Sequence, residues 1–317
     1  MSSPTAAPAA SSAAFSPDGG RAGGVIHDIG YRRYTGPRLG RAYATRSLYA
    51  HGLRTAYGLG RSAGAKVFPW GVFALLMAVA AVLVAVQSQI SAPGERLIEY
   101  WQYPDRINVL VLLFCAVAAP ELVSRDLRGG VLPLYFSRPL TRLDYPVAKW
   151  AALISAVFLL LFAPLLLLFL GTAFSLHSMS AVWHEFGAFG EGLATAALMA
   201  ALFGSIALLI SSLAGRRAVA AAITVGFFIL TTPVVGVLQA LSYVQSNGGP
   251  RTGSALTLAQ LSFLASPLTI VNGLASWLFD NNSDTIGPFG PLYAVVALAL
   301  IVLCVALTLL RYRKVAR

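Results

Sequence analysis

The chain has 317 residues, 57% of them apolar and only 11% charged, with a formal net charge of +11. Soluble globular proteins run near half apolar and a quarter charged, so an ordinary soluble enzyme is excluded. The mean hydropathy of +0.72 resides in long uninterrupted apolar runs, and about 20 such residues cross a bilayer as helix. The fold class is an all-α polytopic membrane protein, read as one bundle rather than two soluble domains.

Residues 1–36 are rich in Ala, Ser, Pro and Gly and have no apolar core after a basic start. They are expected to form a disordered cytoplasmic N-terminus without a cleavable leader. Residues 37–66 turn Arg- and Tyr-rich. A helical wheel puts Tyr43, Tyr49, Ala50, Leu53 and Tyr57 on one side and Ser47, His51 and Arg54 on the other. An amphipathic helix on the inner membrane surface is expected, with Arg46 snorkelling.

Six spans follow at 67–90, 107–123, 147–174, 189–213, 218–244 and 292–310. Twenty of the 23 Lys and Arg lie in residues 1–66, 124–149, 215–217 and the basic tail 311–317. Only Arg96, Arg106 and Arg251 occupy the alternate gaps. Lys/Arg excess marks the cytoplasmic side, so both termini are placed there. The basic charge follows topology, where anionic lipid attracts it, and no nucleic-acid partner is expected. Within the external loop 245–291, the apolar stretch 261–279 is interrupted by Pro267, Asn272 and Gly273. A seventh crossing would carry the basic tail outside, so interfacial or re-entrant helices are expected before the last span.

The spans hold almost no ionisable groups. Glu121 closes the second and Glu191 opens the fourth, while His27, His51, His177 and His184 all fall outside. Neither a proton relay nor a base for a Ser nucleophile is present, and Ser205 reads as a small polar residue. His184-Glu185 begins like the HExxH zinc motif, but Ala188 stands at the second ligand position. No span holds paired Asp residues. The three lysines Lys66, Lys149 and Lys314 precede Val, Trp and Val, so the GxxxxGK[ST] phosphate loop is missing. Cys115 and Cys304 read as buried thiols. No catalytic residue, metal or cofactor is expected, and energy for uphill movement must enter through another subunit or an ion gradient.

Small residues recur every fourth position at Ala196, Ala200 and Gly204, and at Ala214, Ala218, Ala222 and Gly226. Such rows let helices approach closely, within the chain or between copies. Pro164 and Pro233 stand mid-span as candidate hinges that should kink or break their helices, with Thr231 and Thr232 near the freed carbonyls.

The loop Glu121 to Lys149 reads ELVSRDLRGGVLPLYFSRPLTRLDYPVAK. Charged residues alternate with Leu, Gly129-Gly130 breaks the run, and Leu134, Tyr135 and Phe136 follow together. A short amphipathic helix presented to a groove and an interfacial anchor both fit this composition. Through Glu121, Arg125, Asp126, Gly130, Leu132, Ser137, Pro139, Arg142, Tyr145 and Lys149 the loop resembles the signature loop of ABC type-2 permeases. These are the membrane subunits of ATP-binding-cassette exporters. Ala148 replaces the Gly of the family's Gly-Lys step.

The resemblance covers roughly residues 38–317. It implies a permease subunit of an ATP-driven exporter, in the plasma membrane, as a homodimer or paired with a homologous permease, beside separate cytoplasmic ATPase subunits. The loop would be the coupling helix, with Glu121, Arg125, Asp126, Leu127, Arg128, Leu132, Leu134 and Tyr135 making the ATPase contact. Arg138 and Arg142 fit lipid phosphates equally well. Two other classes remain open. An ion-coupled secondary carrier using Thr231, Thr232 and the fifth span should show internal repeats, which residues 67–174 and 189–310 do not display. The other is a non-transporting membrane assembly protein.

Overall fold

The computed structural model describes residues 36, 39–90, 96–137, 140–176, 178–280 and 286–315. Residues 1–35, the start of the 37–66 segment, and His27, Arg138, Pro139 and His177 lie outside the described residues. In chain order the helices are α1 (Arg41–Ala56), α2 (Ala63–Ile90), α3 (Tyr103–Arg106), α4 (Asn108–Leu122), α5 (Ser124–Arg128) and α6 (Leu132–Phe136). They continue as α7 (Asp144–Ala173), α8 (Met179–Leu213), α9 (Arg217–Gln245), α10 (Gly253–Ser262), α11 (Pro267–Phe279) and α12 (Gly290–Val315).

Six of these segments, α2, α4 with α5, α7, α8, α9 and α12, are long and apolar enough to cross a membrane. The chain is an all-α polytopic membrane protein. The fourth such helix begins at Met179 rather than at residue 189, because Ser178 Oγ accepts the Ala181 N–H at 3.3 Å and caps it early. The added turns carry Glu185, 3% exposed, onto Arg96. A charge pair in sequence reads as the end of a span, yet a carboxylate that meets a cation from another segment is tolerated inside one. Arg96 Nε and Nη2 hold Glu185 at 3.1 and 2.8 Å, and Tyr100 OH donates to the same carboxylate. Burial works against the Arg96 guanidinium's charge, but Glu185 and Glu99 outweigh it and hold its pKa above the ordinary value.

The bundle is centred on α4 and α8, with α2, α9 and α12 presenting most surface. Ala196 and Ala200 are fully buried and Gly204 lies against Ile154 and Leu153 of α7. This small-residue row therefore serves α7–α8 packing. Phe203 of α8 meets Phe228 of α9 at 4.8 Å between ring centroids. The second row differs, for Ala218 and Ala222 are exposed and Gly226 faces open space.

α1 buries Leu48, Gly52 and Ala56, one residue per turn. A Cβ on Gly52 would stand 2.8 Å from Ala152 Cβ, so glycine permits the close approach to α7. Tyr49 OH donates to Ser155 Oγ at 2.9 Å and Tyr57 OH to the Ala156 carbonyl at 2.8 Å. The expected face is thereby corrected: Tyr43 and Ala50 are exposed. The helix docks on α7 through Leu48, Gly52 and Ala56 together with Tyr49, Leu53 and Tyr57.

Neither Pro164 nor Pro233 interrupts its helix, so the break expected at these candidate hinges is absent. Thr231 and Thr232 both donate to the Phe228 carbonyl, at 2.8 and 3.2 Å. That is one residue before the Ile229 carbonyl, which Pro233 leaves without its helical donor.

The α10–α11 hairpin runs antiparallel to α9. Gln245 Nε2 donates to Ser254 Oγ at 2.8 Å, Gln239 Nε2 to Ser262 Oγ at 2.6 Å, and the Thr231 and Ser266 hydroxyls meet at 3.0 Å. Thr231 is the middle residue of the 29-residue α9, about 21 Å from the Gln245 end at 1.5 Å per residue. The tip of the hairpin thus reaches half-way along α9, a helix long and apolar enough to cross a membrane. Ser266 caps the returning α11, accepting the Leu268 N–H at 3.4 Å. Backbone at such depth needs protein partners, which α9 and the Ser266 cap supply.

Candidate functional site

Three carboxylates organise the basic end of the bundle. Glu121, at the end of α4, accepts from Arg61 Nη1 at 2.5 Å and from Arg217 at the start of α9. One side chain thereby ties the α1–α2 turn, α4 and α9 together. Val123 (φ −123°, ψ −51°) ends α4, and Ser124 Oγ donates to the Ser211 carbonyl at 2.8 Å, fixing α5 to the end of α8.

Asp126 of α5 points back into the bundle. Its Oδ2 takes Lys149 Nζ at 2.8 Å and Tyr145 OH at 2.7 Å, both from the first turns of α7. Tyr145 is fully buried and packs between the tilted rings of Tyr135 of α6 and Tyr312 of α12, at 5.5 and 5.2 Å between centroids. Gly130, at φ +61°, makes the reversal between α5 and α6, a conformation open to glycine. The third carboxylate, Asp144, accepts from Arg41 Nη2 at 2.6 Å and Nε at 2.7 Å. It also accepts the Thr141 N–H at 2.9 Å and donates its own N–H to Thr141 Oγ1 at 3.3 Å, a reciprocal cap on α7. The hydrogen bonds from Arg41 to Asp144 hold that guanidinium's pKa above its ordinary value.

The eight residues expected at the coupling contact divide into two groups. Glu121 and Asp126 face inward into ion pairs, Leu132 is buried, and Leu127 and Tyr135 are half-buried against the core. Arg125, Arg128 and Leu134 are exposed, Leu134 to 69%. Of these eight, the bracket formed by α5 and α6 thus displays Leu134, Arg125 and Arg128 and turns the others inward. Leu134 and Tyr135 also line two hollows, one of about 840 Å³ against His51, Arg54 and Arg61, and one of about 540 Å³ against Leu39, Tyr43 and Leu48.

Sequence reasoning counted Arg41, Arg61 and Arg217 only as topological charges and passed over Tyr312. No clear signal marked them, because Arg125 stands four residues after Glu121 and offers that acid a local cation.

Residues 70–316 match the family described as ABC-2 family transporter protein. The chain belongs to the ABC-2 transporter family. No curated protein matches it. As a member of this family it is a multi-pass membrane permease subunit of an ABC transporter, a class of subunit that is not itself catalytic. The match runs from α2 through the bracket to α12 and begins after α1.

Proposed function

We propose that this permease forms the translocation pathway of an ATP-driven exporter and is driven by separate ATPase subunits. The basic end, with both termini, faces the cytoplasm of a plasma-membrane transporter. The exposed part of the bracket seats in the ATPase through Arg128 and Leu134, with Arg125 at its edge beside the neighbouring cleft, while Glu121, Asp126, Leu127, Leu132 and Tyr135 hold it in place. The single observation that carries this reading is the exposure of Leu134 on a loop whose acids are consumed internally. A solvated loop has no reason to lock its polar groups inward and present a leucine outward.

A push on the bracket reaches α7 through Asp126–Lys149, α12 through the tilted ring contacts of Tyr135, Tyr145 and Tyr312, and α9 through Glu121–Arg217. The helices then tilt as bodies, with Pro164 and Pro233 as points of bending. A second copy of the chain pairs through the small-residue face of α9, where Ala218 and Ala222 are exposed and Gly226 faces open space among the described residues. The test is co-purification of the tagged chain from its native membrane, with vanadate-sensitive ATPase activity as readout. The wild type should bring an ATPase subunit with it, and Leu134→Asp should lose that subunit without loss of folded permease. Wild-type protein that elutes folded and without any ATPase would overturn the reading.

A further inference from the structure

The larger hollow at the basic end is a cationic cleft. His51 and Arg54 of α1 form one wall, and Arg61, Arg125 and Lys149 contribute from the turn, the bracket and α7. Its two carboxylates, Glu121 and Asp126, are already engaged, by Arg61 with Arg217 and by Lys149. Arg54 and Arg125 are exposed and have no carboxylate partner among the described residues, so the cleft carries uncompensated positive charge on facing walls. Beside it lies the second hollow, apolar and lined by Leu39, Tyr43, Leu48 and Leu140. The two share His51, Leu134 and Tyr135 as a common border.

Depth identifies the occupant. α7 has 30 residues, about 45 Å at 1.5 Å per residue, against a hydrocarbon core of about 30 Å. About 15 Å of α7 lies outside that core, and its charged first turns, Asp144 to Lys149, are the part suited to the headgroup layer; α1 is fastened beside them through Arg41–Asp144 and Gly52–Ala152. A cationic cleft joined to an apolar groove at that level complements a molecule with an anionic head and an apolar tail. We propose that the pair of hollows holds one anionic phospholipid, its phosphate between Arg54 and Arg125 and an acyl chain along Leu39, Tyr43 and Leu48. Bound there, the lipid braces α1 against the bracket. The proposal rests on the basic end lying at a membrane surface and does not require the ATPase contact.

The experiment is native mass spectrometry of the delipidated full chain in neutral detergent, titrated with phosphatidylglycerol or with phosphatidylcholine of the same acyl chains. Phosphatidylglycerol should bind more tightly by roughly 30-fold, the combined effect of two arginines at a charged surface. Arg54→Gln/Arg125→Gln should abolish that preference with unchanged melting, since neither side chain holds the fold together. Arg313→Gln/Lys314→Gln, exposed cations at the end of α12, should keep it. Leu39→Ser/Tyr43→Ser should weaken both lipids alike. Equal affinity for the two lipids, or a preference that survives Arg54→Gln/Arg125→Gln, overturns the site. Loss of ATPase co-purification in that variant with the lipid preference intact assigns the cleft to the protein partner and also overturns it.

Discussion

Asp126, Lys149 and Tyr145 form the most enclosed polar group at the basic end, the Lys149 and Asp126 side chains being 3% and 16% exposed. Removing one partner strands the other in low dielectric, so Lys149→Met should lower stability by about 3 kcal/mol. Adding Asp126→Asn should recover most of that, because the amide still accepts from Tyr145 and carries no charge. Thermal unfolding in detergent compares the two. Glu121 differs in degree, since Arg217 is 48% exposed and Arg61 24%. Glu121→Gln should cost only about 1 kcal/mol in the same assay. At this scale the sequence was half legible. The loop that resembles the family's signature marked Glu121, Asp126, Tyr145 and Lys149, though with no pairing among them. Arg61 and Arg217, 60 and 96 residues from Glu121, were not, since which helices adjoin is decided by packing across the bundle.

Among elements, the helices themselves were legible because run length and bounding charge are local properties, and a span needs little else. The facing of α1 was not. Its aromatic side suggested contact with lipid, while the Leu48–Gly52–Ala56 stripe that actually docks is short and only weakly apolar. Gly52→Leu should undock α1, since even a Cβ meets Ala152 at 2.8 Å. Limited proteolysis should then cut between α1 and α2, at residues 57–62, faster than in the wild type, with the spans unaffected. The two small-residue rows should respond in opposite ways. Gly204→Leu, against Ile154, should unfold the α7–α8 pair. Gly226→Leu, facing open space, should leave the melting temperature unchanged and reduce self-association measured by cross-linking in membranes.

For the whole molecule, charge asymmetry and the family match point the same way. On the proposed reading the bracket is the surface through which an ATPase subunit acts. Glu121 joins the α1–α2 turn, α4 and α9, Asp126 joins α5 to α7, and Asp144 joins α7 to α1, so on that reading a load applied at Leu134 would be shared by several helices. The most direct measurement places a photo-activatable cross-linker at position 134 in the native membrane, with position 278 at the opposite end as control. The account predicts that position 134 captures an ATPase subunit, that position 278 does not, and that the yield changes on addition of ATP and vanadate. Capture of an ATPase from position 278 alone, or of none from position 134 in folded, membrane-inserted protein, would contradict it.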